Sequence, residues 1–377
     1  MRILAVDMGT GTQDILLFDS SGPIENSIKL VMPSATAIAE GRIRRSTEAG
    51  RPVLLTGVIQ GGGPCHWALE DHLKAGHDAY ATAEAARTFD DDLDNVQRMG
   101  VTLLSEDEVD AAQGQHIPLR DLDLDAIRTA FSAFDVDTRF DGLALGCLDH
   151  GASPPGYSDR LFRFDHLRRV VAERNDLRAF AYLPDELPEY LTRARTLLAA
   201  ADAGAPTVFL DTGPAAALGA LQDSQVAAHQ EHLLLNLGNM HALAFHLHGT
   251  RILSLYEHHT GEVSADQFVD FTQRLIAGTL RHEDVFESKG HGVYYADGPA
   301  RPEPVEGPSH PTGPFLAVTG PQRAKLRGSA MDPYFAVPHG DMMVSGCFGL
   351  LWAFAEKHPN HAEEILAPLG VSAALVA

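Results

Sequence analysis

Two carboxylates bracket a short glycine- and threonine-rich segment, Asp7-Met8-Gly9-Thr10-Gly11-Thr12-Gln13-Asp14. Glycines let a backbone turn tightly and present N–H groups to an anion with no Cβ in the way. Thr10 and Thr12 add hydroxyl donors. Asp7 can hold Mg²⁺ directly or through water and so offset phosphate charge. Asp14 can do the same or simply cap the turn. Alone, such a segment reads equally well as an ordinary hairpin turn. A second segment changes the weighing. Leu233-Leu234-Leu235-Asn236-Leu237-Gly238-Asn239 echoes Leu4-Ala5-Val6-Asp7-Met8-Gly9-Thr10: a strand ending in Asp or Asn, one apolar residue, Gly, then a small polar residue. One copy opens each half of the chain. A duplicated fold explains this best, and two facing hairpins make a clamp suited to phosphate. Gly9, Thr10, Gly11 and Thr12 would form one jaw, and Gly238 and Asn239 the other.

Other residues offer chemistry with less specificity. Asp211 follows a buried strand and precedes a helix, where a carboxylate either caps the helix or faces a ligand. Asp149 and His150 end a strand, the place where α/β proteins put their chemistry, and Asp159-Arg160 follows soon after. Gly61-Gly62-Gly63 is a second glycine-rich strand–helix junction, weak evidence for an anion site by itself. Asp90, Asp91, Asp92 and Asp94 lack the oxygen spacing of a calcium loop and read as a solvated helix start. The pairs His246/His248 and His258/His259 have no zinc-binding spacing, so surface or hydrogen-bonded histidines are expected. Cys65, Cys147 and Cys347 lie far apart, which argues against a disulfide framework and against an iron–sulfur cluster.

Alternating strands and helices must position these groups. Strands are expected at Ile3–Val6, Ile15–Phe18, Val53–Ile59, Gly142–Leu148, Val208–Leu210, Leu233–Asn236, Met240–Leu247 and Phe315–Val318. Helices are expected after Gly61-Gly62-Gly63-Pro64 to about Lys74, over Leu161–Val171, Leu187–Ala201 and Ala215–Leu221, from the capping box Ser264/Gln267, and through Gly346 and Gly349. The Pro/Gly-rich stretch 297–314 is expected to be an extended loop. This is an α/β pattern.

At 377 residues the chain has room for two domains, and 45% apolar residues allow each a real core. A net charge of −22 argues against a nucleic-acid partner. A nucleotide is still allowed, because N–H groups and Mg²⁺ hold phosphates locally. The apolar run after Met1 is too short for a signal peptide. No apolar stretch nears the roughly 20 residues that span a bilayer, so a cytoplasmic protein without a membrane partner is expected.

The segment Asp7 to Asp14 resembles the first phosphate motif of the superfamily of actin, heat-shock chaperones, sugar kinases and hydantoinase-like ATPases. Leu235 to Asn239 resembles the second. Phe315 to Gly320 sits where that superfamily has its adenosine motif. Gly142 to Gly151 is similar to the strand ending near substrate in its sugar kinases. Asp211 to Gly219 resembles the segment in which an Asp, the catalytic base, precedes an Ala-rich helix, with an offset of about one residue. The resemblance implies duplicated RNase H-like domains, 1–225 and 226–377, closing over ATP and Mg²⁺. It implies Asp7 and Asp14 at the metal, Gly320 and Gly346 at the adenosine, and Asp211 or Asp149 activating a hydroxyl or water. Asn236 departs from the Asp of many of these ATPases and brings no charge for a metal. Most of the chain also resembles an uncharacterised family labelled as pyruvate formate-lyase activating enzymes, a radical chemistry for which the cysteines are wrongly spaced.

A kinase or ATPase of unknown acceptor is the first expectation. A nucleotide-dependent switch or assembly protein read by a protein partner is the second. A member that has lost nucleotide for another small ligand is the third.

Overall fold

A computed structural model describes residues 1–201, 204–296 and 313–372. Two six-stranded sheets share one order over five of their strands. In the first, Ile28–Pro33, Thr12–Asp19 and Arg2–Met8 form an antiparallel meander, and Gly142–Cys147 and Thr207–Asp211 continue it in parallel. Ala181–Tyr182 closes the edge. In the second, Arg251–His259, His241–His248 and Glu231–Leu237 form the meander, with Phe315–Thr319 and Tyr334–Phe335 in parallel. Gly292–Tyr295 adds an outer strand. This is the RNase H-like order twice over, the duplicated architecture of actin-like ATPases.

The repeat extends to single hydrogen bonds. Gly9 N–H donates to the Thr12 carbonyl at 2.9 Å, and Gly238 N–H donates to the His241 carbonyl at 2.9 Å. A Cβ at Gly9 would lie 2.9 Å from that Thr12 oxygen, and one at Gly238 would lie 2.8 Å from that of His241. Both turns are too tight for a side chain at this position.

The first sheet is buried on both faces. Along Arg2–Met8, Ile3 and Ala5 enter one core while Leu4, Val6 and Met8 enter another, the period of two that a strand imposes. The first of these cores is covered by the helices Thr212–Ala220 and Ser345–Lys357. Those two helices touch backbone to backbone. A Cβ at Gly219 would collide with the Ser345 carbonyl, and one at Gly349 with that of Ala215.

A third sheet of four short parallel strands, Val101–Leu104, Ala79–Thr82, Val53–Gly57 and Gln115–Leu119, is inserted between Ile28–Pro33 and Gly142–Cys147 and has its own core. Sequence patterning finds only Val53–Gly57, whose Val53, Leu54 and Leu55 form a continuous apolar run; the others are four or five residues long and broken by polar residues or proline. The helix expected at Leu187–Ala201 begins only at Thr192. Pro188 starts a turn instead, closed by the Leu191 N–H on its carbonyl at 3.1 Å. The capping box at Ser264 and Gln267 is present. Of the loop expected at 297–314, residues 297–312 lie outside the described residues.

The helix Asp159–Glu173 turns Arg163, Phe164, His166, Leu167 and Val170 inward at helical spacing. His166 is buried, and its Nδ1 meets the Tyr190 hydroxyl at 3.0 Å. Burial, helped by Arg163 and Arg169, pushes its pKa down to about 3. The unfolded chain therefore takes a proton at His166 below about pH 6.5 while the folded one does not, and stability falls as pH drops. This one residue is expected to remove about 2 kcal/mol between pH 7 and pH 5. His166→Gln keeps a hydrogen-bonding side chain but cannot titrate, so its urea midpoints should vary less over that interval than those of the wild type. Equal slopes would refute the assignment.

Candidate functional site

Asp7 and Asp14 face each other across the first hairpin. Asp7 is buried, and its Oδ1 accepts from the Thr212 hydroxyl at 2.6 Å. Burial raises its pKa to about 6 despite that bond. Burial and the charge of Asp7 push Asp14 up to about 8. Asp14 Oδ1 is buried without a hydrogen-bond partner. Two desolvated carboxylates and an orphaned oxygen form a donor set that suits a hard divalent cation.

These carboxylates line a cavity of about 100 Å³ whose walls come from both halves. Gly9, Thr10 and Thr12 reach it from the first turn, Asn236, Gly238 and Asn239 from the second, and Gly320 and Gly346 from the other walls. Gly11 lies under Asn239, whose side-chain amide occupies the place a Cβ there would take. Gln322 Nε2 donates to Asn239 Oδ1 at 3.0 Å and steadies it. The two turns thus meet across the cleft. Gly346 lies against the carboxylate end of the cleft, since a Cβ on it would collide with Asp7 Oδ2. Gly320, with φ +93°, packs against Asn236 and Leu237.

A larger cavity of about 1000 Å³ opens beside it, and the turn Gly9-Thr10 lines both. Its walls include Gly61, Gly62 and Gly63 of the insertion, and Gly63 lies against Thr10. Asp90, Asp91, Asp92, Asp94, Asp149 and Asp159 make the wall acidic. Burial and the neighbouring acids Asp159, Asp149 and Asp90 raise Asp91 to about 6. Asp92 also caps the helix Leu93–Met99, as the sequence suggests. Asp149 is fixed by the N–H groups of Gly151 at 2.8 Å and Ala194 at 2.9 Å.

The base role considered for Asp211 has to be corrected. Both its oxygens pair with Arg163, and Oδ1 also accepts from Gly213 N–H at 3.0 Å, capping the next helix. It lines neither cavity. Arg163 in turn donates from Nε to Glu257 Oε2 at 3.2 Å. The side chains of Arg163 and Glu257 are both 0% exposed. This triad joins the first sheet to the second, and its partners are too far apart in sequence for any motif to reveal.

Of the histidine pairs, His246 pairs with Glu231 at 2.8 Å and His258 bonds the Ser288 hydroxyl at 3.1 Å, the hydrogen-bonded roles expected of them. His259 instead packs its ring against those of His241 and His291, with centroids 4.8 and 4.7 Å apart. The histidines whose ring nitrogens gather within 4.8 Å of one another are His150, His241 and His291. Nothing in their spacing announces them, although His150 ends a strand and His241 follows the second turn.

A family model described as "Putative pyruvate format-lyase activating enzyme (DUF1786)" matches residues 60–325, well over half of the chain. The chain belongs to this family. The family's label would call for clustered thiolates. Cys65, Cys147 and Cys347 are buried in three separate cores and cannot share one cluster. Among solved structures, the chain is similar to a ROK hexokinase from Thermus thermophilus, at 13% identity over 67% of this chain and 48% of that one, TM-score 0.24. It is similar to an exopolyphosphatase from Cytophaga hutchinsonii, at 13% identity over 72% and 53%, TM-score 0.24. It is also similar to the ethanolamine utilization protein EutJ from Carboxydothermus hydrogenoformans, at 11% identity over 94% and 89%, TM-score 0.27. The chain spans about half the length of the first two. At this level the neighbours add nothing to the strand orders, which define the fold. No curated protein matches this member of the family. Among the described residues no helix is long and apolar enough to cross a membrane.

Proposed function

We propose that the chain is a Mg²⁺–ATP-binding phosphotransferase or ATPase of the actin-like and sugar-kinase type, with residues 1–225 and 226–377 as its two halves. The observation that carries this reading is the pair of equivalent turns at Gly9 and Gly238, meeting across a cleft floored by Asp7 and Asp14. Asp7 and Asp14 would hold Mg²⁺, which when bound offsets phosphate charge. The N–H groups of Gly9 to Thr12 and of Gly238 and Asn239, with the Thr10 and Thr12 hydroxyls, orient the phosphates. Asp149 faces the larger cavity with both oxygens held, and there it takes the proton of an acceptor hydroxyl. The acidic wall favours a hydroxyl-bearing acceptor that is neutral or cationic.

The test is calorimetry of ATP binding with and without Mg²⁺, on the wild type and on Asp7→Ala. Mg²⁺-dependent binding, weakened roughly tenfold or more by the substitution, is expected. No binding at millimolar ATP, or equal binding by the variant, would sink the assignment.

A second reading, a nucleotide-dependent switch, is favoured by one observation. A cleft of about 100 Å³ is smaller than the roughly 300–1,000 Å³ of ordinary ligand pockets. Asn239 must leave Gly11 for a nucleotide to enter, so binding would move one half against the other. Tight ATP binding with turnover near background would select the switch over the enzyme.

A further inference from the structure

We infer that His150, His241 and His291 form a site for one divalent transition-metal ion of the zinc class, on the wall of the larger cavity and shared between the two halves. A nitrogen from each ring lies within 4.8 Å of the other two. The rings gather closely, with centroids 5.0 Å apart for His150 and His241, 5.1 Å for His241 and His291, and 5.7 Å for His150 and His291. Three distant elements bring them together. His150 follows the strand Gly142–Cys147 of the first sheet. His241 begins the strand His241–His248, and His291 directly precedes Gly292–Tyr295, both of the second sheet.

Imidazoles buried only to fill space normally find hydrogen-bond partners. His291 is 0% exposed, and neither of its ring nitrogens has a partner. His241 Nδ1 lies 3.4 Å from Glu257 Oε1, and neither atom has a better partner. A carboxylate behind the far nitrogen of a histidine is the usual outer support of a metal ligand, and it leaves Nε2 for the ion. Arg163 holds the other oxygen of Glu257 at 3.2 Å and so fixes the support.

A ligand set made only of imidazoles suits zinc, nickel, copper or iron, whereas Mg²⁺ and Ca²⁺ want oxygen. Zn–N bonds of about 2.0–2.1 Å in a tetrahedron need nitrogens about 3.3–3.4 Å apart, so nitrogens within 4.8 Å of one another draw in by at most about 1.5 Å as the ion binds. Three protein ligands leave a fourth position open. His150 and His241 line the larger cavity, with the fully buried His291 behind them. The open position therefore faces the cavity, where a substrate oxygen or water can take it. His241 also lines the smaller cavity, but the three imidazoles and the pair Asp7 and Asp14 are separate donor sets, so the site does not depend on the nucleotide reading.

The test uses the full chain, stripped with chelator and titrated with Co²⁺ as a spectroscopic stand-in for zinc. With excess Mg²⁺ present to fill the pair Asp7 and Asp14, one Co²⁺ per chain with a visible ligand-field band is expected. His150→Ala and His241→Ala should each weaken binding by about 100-fold or more, while Asp7→Ala should bind as the wild type does. Absence of binding by the wild type, or undiminished binding by both histidine variants, overturns the site. His291→Ala would open a hole in the core, so a measurement free of mutation replaces it. X-ray absorption at the cobalt edge of the wild type should show three imidazoles, and a shell of oxygens alone would overturn the proposal.

Discussion

Replacing Arg163 by methionine is expected to destabilise the fold by about 3–5 kcal/mol, the range for breaking a buried ion pair from one side. The guanidinium is wholly buried and is shared by Asp211 and Glu257, which are themselves nearly or wholly inaccessible. Burial alone would push the Glu257 carboxyl up; Arg163 and the imidazoles of His291 and His241 outweigh it and hold it well below the usual carboxylate range. Removing the cation leaves two desolvated carboxylates facing each other. The triple variant Arg163→Met, Asp211→Asn, Glu257→Gln removes all three charges and is expected to regain at least half of the loss, because neutral replacement of a buried network is tolerated far better than its partial removal. Urea unfolding of the two variants decides the matter. If the single and triple variants were equally unstable, shape rather than charge would explain the site.

Gly349→Ala and Gly219→Ala are each expected to destabilise by about 3 kcal/mol or more, at the upper end of overpacking effects. Each added methyl would meet a backbone carbonyl, that of Ala215 or Ser345, and a backbone atom cannot swing aside as a side chain does. The helices Thr212–Ala220 and Ser345–Lys357 must then part. Once parted, they have room for the second methyl, so the double variant should be clearly less unstable than the sum of the singles. An additive pair would mean that the helices yield locally and independently at the two positions. Parting them also draws Gly346 away from Asp7, so the effect reaches the cleft.

How much of this was legible in the residues follows from where each feature gets its cause. The turns at Gly9 and Gly238 are set by local chemistry, an Asp or Asn, an apolar residue and a glycine, and the repeat across 229 positions survives in structure down to the same hydrogen bond. The cap at Ser264 and the helix that follows Gly61-Gly62-Gly63 are local in the same way. Asp211 misled because a carboxylate before a helix looks the same whether it faces a ligand or a buried arginine. Its partner lies 48 residues earlier, on another element. His150, His241 and His291 meet only because sheet order places a strand end of one half beside two strand starts of the other, which no spacing encodes. The inserted sheet escaped notice since strands as short as Ala79–Thr82 bury too few residues to show a period.

The helix Ser345–Lys357 also bears on how a ribosome must make this protein. The last strand of the first sheet ends at Asp211, but the second of the two helices that cover one of its faces ends at Lys357, 146 residues later (357 − 211). At about 5–20 residues per second, that face waits roughly 7–30 s for the rest of its cover. Ile3, Ala5, Phe18, Val208 and Leu210 stand on it, all fully buried in the finished molecule. The emerging chain therefore carries a partly covered apolar surface through most of the synthesis of its second half. It should need a holding chaperone for that interval, whatever the finished protein binds.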